Sequence, residues 1–196
     1  MSRYDTENTV FLLIDHQVGT IKLARNISHE QLIKNARALA RTAIECGIPL
    51  ILTTSNENNF QGPLINDFLD IAPKEYETRV KRTGMVNAWE YAEFKNAVLA
   101  TGKKNIVLAG LTNDVCTVFP AISAVEEGYQ VQVVVDAGGS PTQLADETAL
   151  RRMEKHGVIL TSTNQLMAEI ANDWSTDKGR IILNIMYQEI LVNLIN

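Results

Sequence analysis

Two residues of this chain are placed where nucleophilic chemistry needs them. Asp15 directly follows the apolar run Val10-Phe11-Leu12-Leu13-Ile14. A carboxylate at the end of such a strand is partly desolvated, which lifts its pKa toward the range useful for proton transfer. Cys116 follows a second run, Ile106-Val107-Leu108-Ala109, and the turn Gly110-Leu111-Thr112-Asn113-Asp114. The next periodic segment starts near Val115-Cys116 and runs to Glu127, with Gly128 as its stop, so the thiol is expected in the first turn of a helix. Unpaired backbone N–H groups and the positive end of the macrodipole favour thiolate there, which predicts a lowered pKa. Lys81 and Arg82 end a third candidate strand, and a cation there offsets the repulsion between thiolate and carboxylate. A carboxylate beside a thiol takes its proton and returns it to a leaving group.

These residues need a scaffold that brings strand ends together. The chain alternates strands and helices. Strands are read at Val10–Ile14, Pro49–Thr54, Thr78–Lys81, Ile106–Ala109, Gln130–Val135 and Val158–Leu160. Ser28 with Gln31 reads as a capping box for a helix to Cys46, closed by Gly47 and blocked by Pro49. Further helices are expected over Glu90–Ala100, Thr142–His156 and Thr163–Ala171, and residues 55–75 read as a long polar loop. The pattern predicts an α/β fold: a three-layer αβα sandwich around a mostly parallel six-stranded sheet with Rossmann-like topology, forming one domain over residues 1–196. In such sheets active sites lie at the carboxyl ends of the strands. The amphipathic tail at 176–196, with Ile181, Ile182, Ile185, Met186, Ile190, Leu191 and Leu194 near helical spacing, either packs on its own domain or docks on a neighbouring subunit.

Composition narrows the function. At 196 residues, 45% of them apolar, the chain can bury a full core. A net charge of −5 argues against nucleic acid or an anionic membrane surface as partner. No apolar run is long enough to span a membrane, and MSRYDTENTV lacks a signal peptide's apolar stretch, so a cytoplasmic location is expected. Cys46 and Cys116 are then free thiols rather than a disulfide. His16, His29 and His156 show no metal-ligand spacing, and no metal or other cofactor is expected.

Four elements in order resemble the isochorismatase-like cysteine hydrolases, most of all their YcaC-type branch. They are Asp15-His16-Gln17, Thr53-Thr54-Ser55, Arg82-Thr83-Gly84-Met85-Val86-Asn87-Ala88-Trp89, and Gly110 through Cys116 with Phe119-Pro120-Ala121, Glu127-Gly128-Tyr129 and Val135-Asp136-Ala137. The resemblance covers roughly residues 8–175. It implies a triad of Asp15, a strand-three cation and Cys116 that hydrolyses a C–N bond of a small amide or ureide-like molecule. Counting back from Asn87-Ala88-Trp89 puts Arg82 at the cation position, with Lys81 the adjacent alternative on the opposite side of the strand. The resemblance further implies a cis peptide between Leu111 and Thr112, with the N–H groups of Thr112 and Cys116 forming an oxyanion hole. It also implies a homo-oligomer, a tetramer or octamer. Asn113 stands where the family commonly has threonine, so a hydroxyl contact is lost while the backbone donors remain. The metal-binding histidines of the nicotinamidase branch have no equivalent near His16.

Blander readings stand beside these. A lone cysteine is as a rule a buried apolar residue, and Cys46 is read so. Asn87 and Trp89 are either a helix cap and a core aromatic or pocket-lining residues. Phe119 is read as a substrate contact, and Asn56, with Glu57 and Phe60, as shaping the pocket from the long loop. His16 is expected to make a structural hydrogen bond, and Asp136 to act as a structural carboxylate. Two further functions fit the same residues: a redox-responsive thiol at Cys116, or a non-catalytic assembly subunit.

Overall fold

Six parallel strands form one sheet in the computed structural model, in the order β3-β2-β1-β4-β5-β6. They are β1 (Thr9–Ile14), β2 (Leu50–Ser55), β3 (Val80–Arg82), β4 (Asn105–Gly110), β5 (Gln130–Val134) and β6 (Ile159–Thr161). The structure describes residues 4–191. Successive side chains of a strand point to opposite faces, and β1 is apolar on both. Phe11 and Leu13 enter one core, and Val10, Leu12 and Ile14 enter the other.

Helices cover both faces, so the fold is α/β as expected. On the Phe11 side lie α1 (His29–Glu45), α2 (Asn66–Ile71), α3 (Pro73–Glu77), and two helices late in the chain. The opposite face is covered by α4 (Ala92–Ala100), α5 (Val118–Glu126) and α6 (Gln143–Lys155). The late helices are α7 (Thr163–Ala171) and α8 (Asp177–Met186). Local chemistry sets several ends: Ser28 Oγ accepts from Gln31 N at 3.1 Å, and Thr142 Oγ1 from Ala145 N at 3.1 Å. The Gln31 side chain turns to Asn35 at 2.9 Å, so only the Ser28 half of the expected capping box forms.

Two sequence expectations are corrected. Residues 55–75 are not a continuous loop, because α2 and the start of α3 lie within them. Each is too short to display a helical period, and tertiary burial of Phe68 and Tyr76 holds them in place. The helix expected from Val115 starts as a π-helical turn over Asn113–Thr117, and α5 proper begins at Val118. Of the two alternatives for the tail, packing on its own domain is seen within the described residues. Ile182, Ile185 and Met186 pack into the chain's own core, while Ile181, Leu183 and Tyr187 face outward. Leu194 lies outside the described residues.

Candidate active site

The strand order reverses between β1 and β4, whose neighbours β2 and β5 lead away in opposite directions. Open α/β sheets bind ligands at the carboxyl ends of the strands at such a switch point. Asp15 leaves β1 there with φ +58°, a left-handed conformation that aspartate tolerates better than most side chains. This turns the chain sharply out of the sheet while Asp15 N still donates to Thr53 O at 3.0 Å. The carboxylate is buried, and Arg82 Nη2 donates to both of its oxygens at 2.5 Å.

The choice between the two strand-three cations is a matter of strand faces. Arg82 points inward with its side chain fully buried, whereas Lys81 points outward, 59% exposed, and reaches Glu57 at 3.6 Å. All three Arg82 nitrogens are engaged: Nε donates to Thr53 Oγ1 at 3.1 Å and Nη1 to the Met85 carbonyl at 2.6 Å. Thr53 Oγ1 in turn donates to Val80 O at 2.8 Å, which locks the hydroxyl's direction.

Cys116 sits in the π-helical turn, half-buried, with its thiol close enough to Asp15 and to the backbone N–H of Thr112 for both to shift its titration. The peptide bond between Leu111 and Thr112 is cis. Gly110 is required just before it, because a Cβ there would lie 2.8 Å from Thr117 Oγ1 and 3.1 Å from Ile14 Cβ. The thiol's pKa runs opposite to the helix-dipole expectation. Burial pushes it well above its ordinary value, and the Asp15 charge and hydrogen bond push it further, outweighing Arg82 and the Thr112 N–H. Burial likewise raises Asp15, against the pull of Arg82 and the thiol. The raised thiol pKa favours a neutral thiol facing Asp15, an arrangement in which a base can remove the proton as attack occurs.

Asp15, Arg82, Thr112 and Cys116 line a cavity of about 250 Å³, with Asn56, Phe60, Leu23, Met85, Val86 and Val115 among its other walls. The sequence reading missed the residues that hold this wall. Gln17 ties β1 to β2 and to the following loop, donating to Ser55 O at 2.9 Å and Gly62 O at 2.5 Å and accepting from Ser55 N at 2.9 Å. Gly19 admits the Phe60 backbone, whose carbonyl would lie 1.8 Å from any Cβ. Gln17 belonged to a recognised motif but carried no role, and Gly19 carried no signal at all.

Other expected site residues sit elsewhere. Asn87 caps a 3₁₀ turn, accepting from Trp89 N at 3.1 Å, and Trp89 is buried edge-on to Tyr129, 5.2 Å between ring centroids. Phe119 lies outside the cavity in an adjoining hollow with Met85 and Val86, under the Arg152 guanidinium. His16 is buried and its Nε2 pairs with the Ala137 carbonyl at 2.8 Å, while burial pushes its pKa down to about 4. Asp136 accepts from both Thr163 N and Thr163 Oγ1 at 2.8 Å, fastening the start of α7. Asn113, in place of threonine, donates to Asp146 Oδ1 at 3.0 Å and Val135 O at 3.2 Å, bracing the turn. Among the described residues no three His, Cys, Asp or Glu side chains cluster as a metal site requires, and no helix is long and apolar enough to cross a membrane.

Comparison with known proteins identifies the family. A family model for the isochorismatase domain matches residues 9–165. The chain belongs to the isochorismatase family. YcaC of Escherichia coli strain K12, described as a probable hydrolase, is 37% identical over 175 residues, covering 89% of this chain and 83% of YcaC. Its crystal structure, an octameric hydrolase of unknown specificity, superposes with a TM-score of 0.93 at 35% identity over 100% of this chain and 95% of that one. YcaC from Pseudomonas aeruginosa, solved with hexane-2,5-diol and covalent acrylamide, gives 0.93 at 36% identity over 99% and 96%. The family is one of hydrolases, and the six-stranded α/β architecture is shared with these relatives.

Proposed function

We propose that this family member is a cofactor-independent cysteine hydrolase that cleaves the C–N bond of a small amide through a thioester on Cys116. The observation that carries the reading is the Cys116 thiol sharing a cavity with an Asp15 carboxylate that Arg82 holds by both oxygens. Asp15 takes the thiol proton as sulfur bonds to the carbonyl carbon. The N–H groups of Thr112 and Cys116 receive the oxyanion, a contribution of about 100- to 1000-fold per donor in comparable sites. Asp15 then gives its proton to the nitrogen as the C–N bond breaks and the amine departs. Water, activated by the same carboxylate, cleaves the thioester to a carboxylic acid and restores the thiol. Arg82 stays protonated throughout, so it stabilises charge and moves no proton.

The relative that carries covalent acrylamide supports a nucleophile reactive toward a small electrophilic amide in this branch. The raised thiol pKa weighs against a redox sensor, since such sensors are low-pKa thiols. Octameric assembly, as in the E. coli relative, is compatible with catalysis and is proposed here through the outward face of α8. Single-turnover incubation with a panel of small amides, read by mass spectrometry, is expected to leave an acyl adduct on Cys116. Full turnover by a Cys116→Ala variant would overturn the proposal.

A further inference from the structure

The cavity beside Cys116 contains two charged side chains, Asp15 and Arg82, and they neutralise each other. The rest of its lining is apolar or uncharged: Leu23, Phe60, Met85, Val86 and Val115, with Thr20, Ser55, Asn56, Gln61, Gly84, Thr112 and Cys116 supplying polar, sulfur or backbone surface. Each Arg82 nitrogen already donates within the protein and its charge is paired with Asp15, so at most one Nη1 N–H is left for a ligand, short of the two-bond grip a carboxylate needs. Other charged side chains line neighbouring hollows, Glu90 among them in the one that shares Met85 and Val86. Lys81 and Glu57 face each other at 3.6 Å, and Arg79 holds Glu57 at 2.5 Å. Lys22, one residue from Leu23, lines a separate concavity with Arg25 and His29.

Resting on the hydrolase reading above, we infer that the substrate is an uncharged amide whose acyl part is a short apolar chain. A charge on that chain would be removed from water and meet no partner, which costs more than the contacts return. The walls instead offer apolar surface at the mouth, where Phe60 is 62% exposed and Val86 50%. At about 30 Å³ for each water-sized unit, 250 Å³ holds about eight non-hydrogen atoms. The inference separates this chain from enzymes built for carboxylate-bearing amides, whose sites need an unengaged cation.

The test uses the full-length protein and three alkylating probes of equal length: N-butyl-iodoacetamide and its analogues ending in a carboxylate and in an ammonium. Second-order rates at Cys116 are measured by mass spectrometry and divided by each probe's rate with glutathione. The neutral probe is expected to lead both charged ones by about tenfold or more, the ratio corresponding to one uncompensated charge. A smaller lead, a preference for either charged probe, or failure of all three to label overturns the inference. Val86→Lys places a cation at the mouth and is expected to raise the carboxylate probe about fivefold relative to the neutral one, and an unchanged ratio also overturns it. Alkylation does not need turnover. A neutral preference without hydrolysis of pentanamide therefore sinks the hydrolase reading alone, whereas hydrolysis of glutaramate in preference to pentanamide sinks the inference alone.

Discussion

Two arginine–carboxylate clusters in this molecule use the same chemistry to opposite effect. At the C-terminal turn, Glu189 accepts from Arg37 Nε at 2.8 Å and from Arg41 Nη1 at 3.0 Å, and Arg37 reaches Asp67 at 2.6 Å. At the cavity, Asp15 is paired with one arginine, Arg82. Burial pushes both carboxylates up, but two arginines outweigh it at Glu189 and hold it below its ordinary value, while one arginine does not at Asp15. The cavity cluster also contains an acid with no cation of its own, the Cys116 thiol. The difference teaches that a buried carboxylate with one cation keeps a raised pKa suited to proton transfer, whereas one held by two cations is a clamp.

Breaking the cavity cluster should produce the larger effects. Asp15→Asn keeps the shape but removes the base, and turnover of a small amide is expected to fall about 100- to 10,000-fold. In the parent protein activity should be lost as pH falls through the raised Asp15 pKa, so the acid limb lies above the ordinary carboxylate range near 4. A pH–rate profile checks this. An acid limb at or below the ordinary carboxylate value would return Asp15 to the class of Glu189. Arg82→Met leaves the buried Asp15 charge unpaired and should destabilise the fold by about 3–5 kcal/mol in urea titration.

The next effect belongs to His16, buried one residue from Asp15. Its folded pKa of about 4 lies below the unfolded value of 6.5, so between those pH values the unfolded chain binds a proton that the folded chain does not. Stability should therefore fall from pH 6.5 toward pH 4, by about 3 kcal/mol for this group, and the slope attributable to it should end below pH 4. Asp15, with a raised pKa, contributes in the reverse direction, so the measurement is the difference in pH slope between the parent and His16→Asn. Equal slopes would remove His16 from the account.

Glu189→Gln is the smallest perturbation. The amide keeps the shape and leaves two partly exposed arginines, so it should cost about 1–2 kcal/mol and leave amide turnover within about twofold. A loss of turnover comparable to that of Asp15→Asn would show that the clamp reaches the cavity and that the two clusters are not separate devices.

Much of the scaffold was legible because it repeats simple signals. Val10–Ile14 and Ile106–Ala109 are buried on both faces and read as continuous apolar runs, and α7 has the predicted bounds because Ser162 caps it and its buried face is periodic. The helices within 55–75 escaped notice because six residues carry too few apolar positions to set a period. Asn87 and Trp89 stood close to the strand-three motif in sequence yet turn away from the cavity in space, a distinction no spacing rule makes.

The amino-acid order by itself determined that a carboxylate and a thiol would follow two buried parallel strands, because apolar runs of that length must enter a sheet and their polar successors must leave it at the same end. It also determined that a cation would stand nearby. Only the tertiary structure decided that Arg82 and not Lys81 pairs with Asp15, since neighbouring residues of a strand face opposite ways and packing selects the face. It decided the direction of the Cys116 pKa as well. The helix terminus is a local feature, but the burial and the Asp15 charge that overrule it come from residues a hundred positions away.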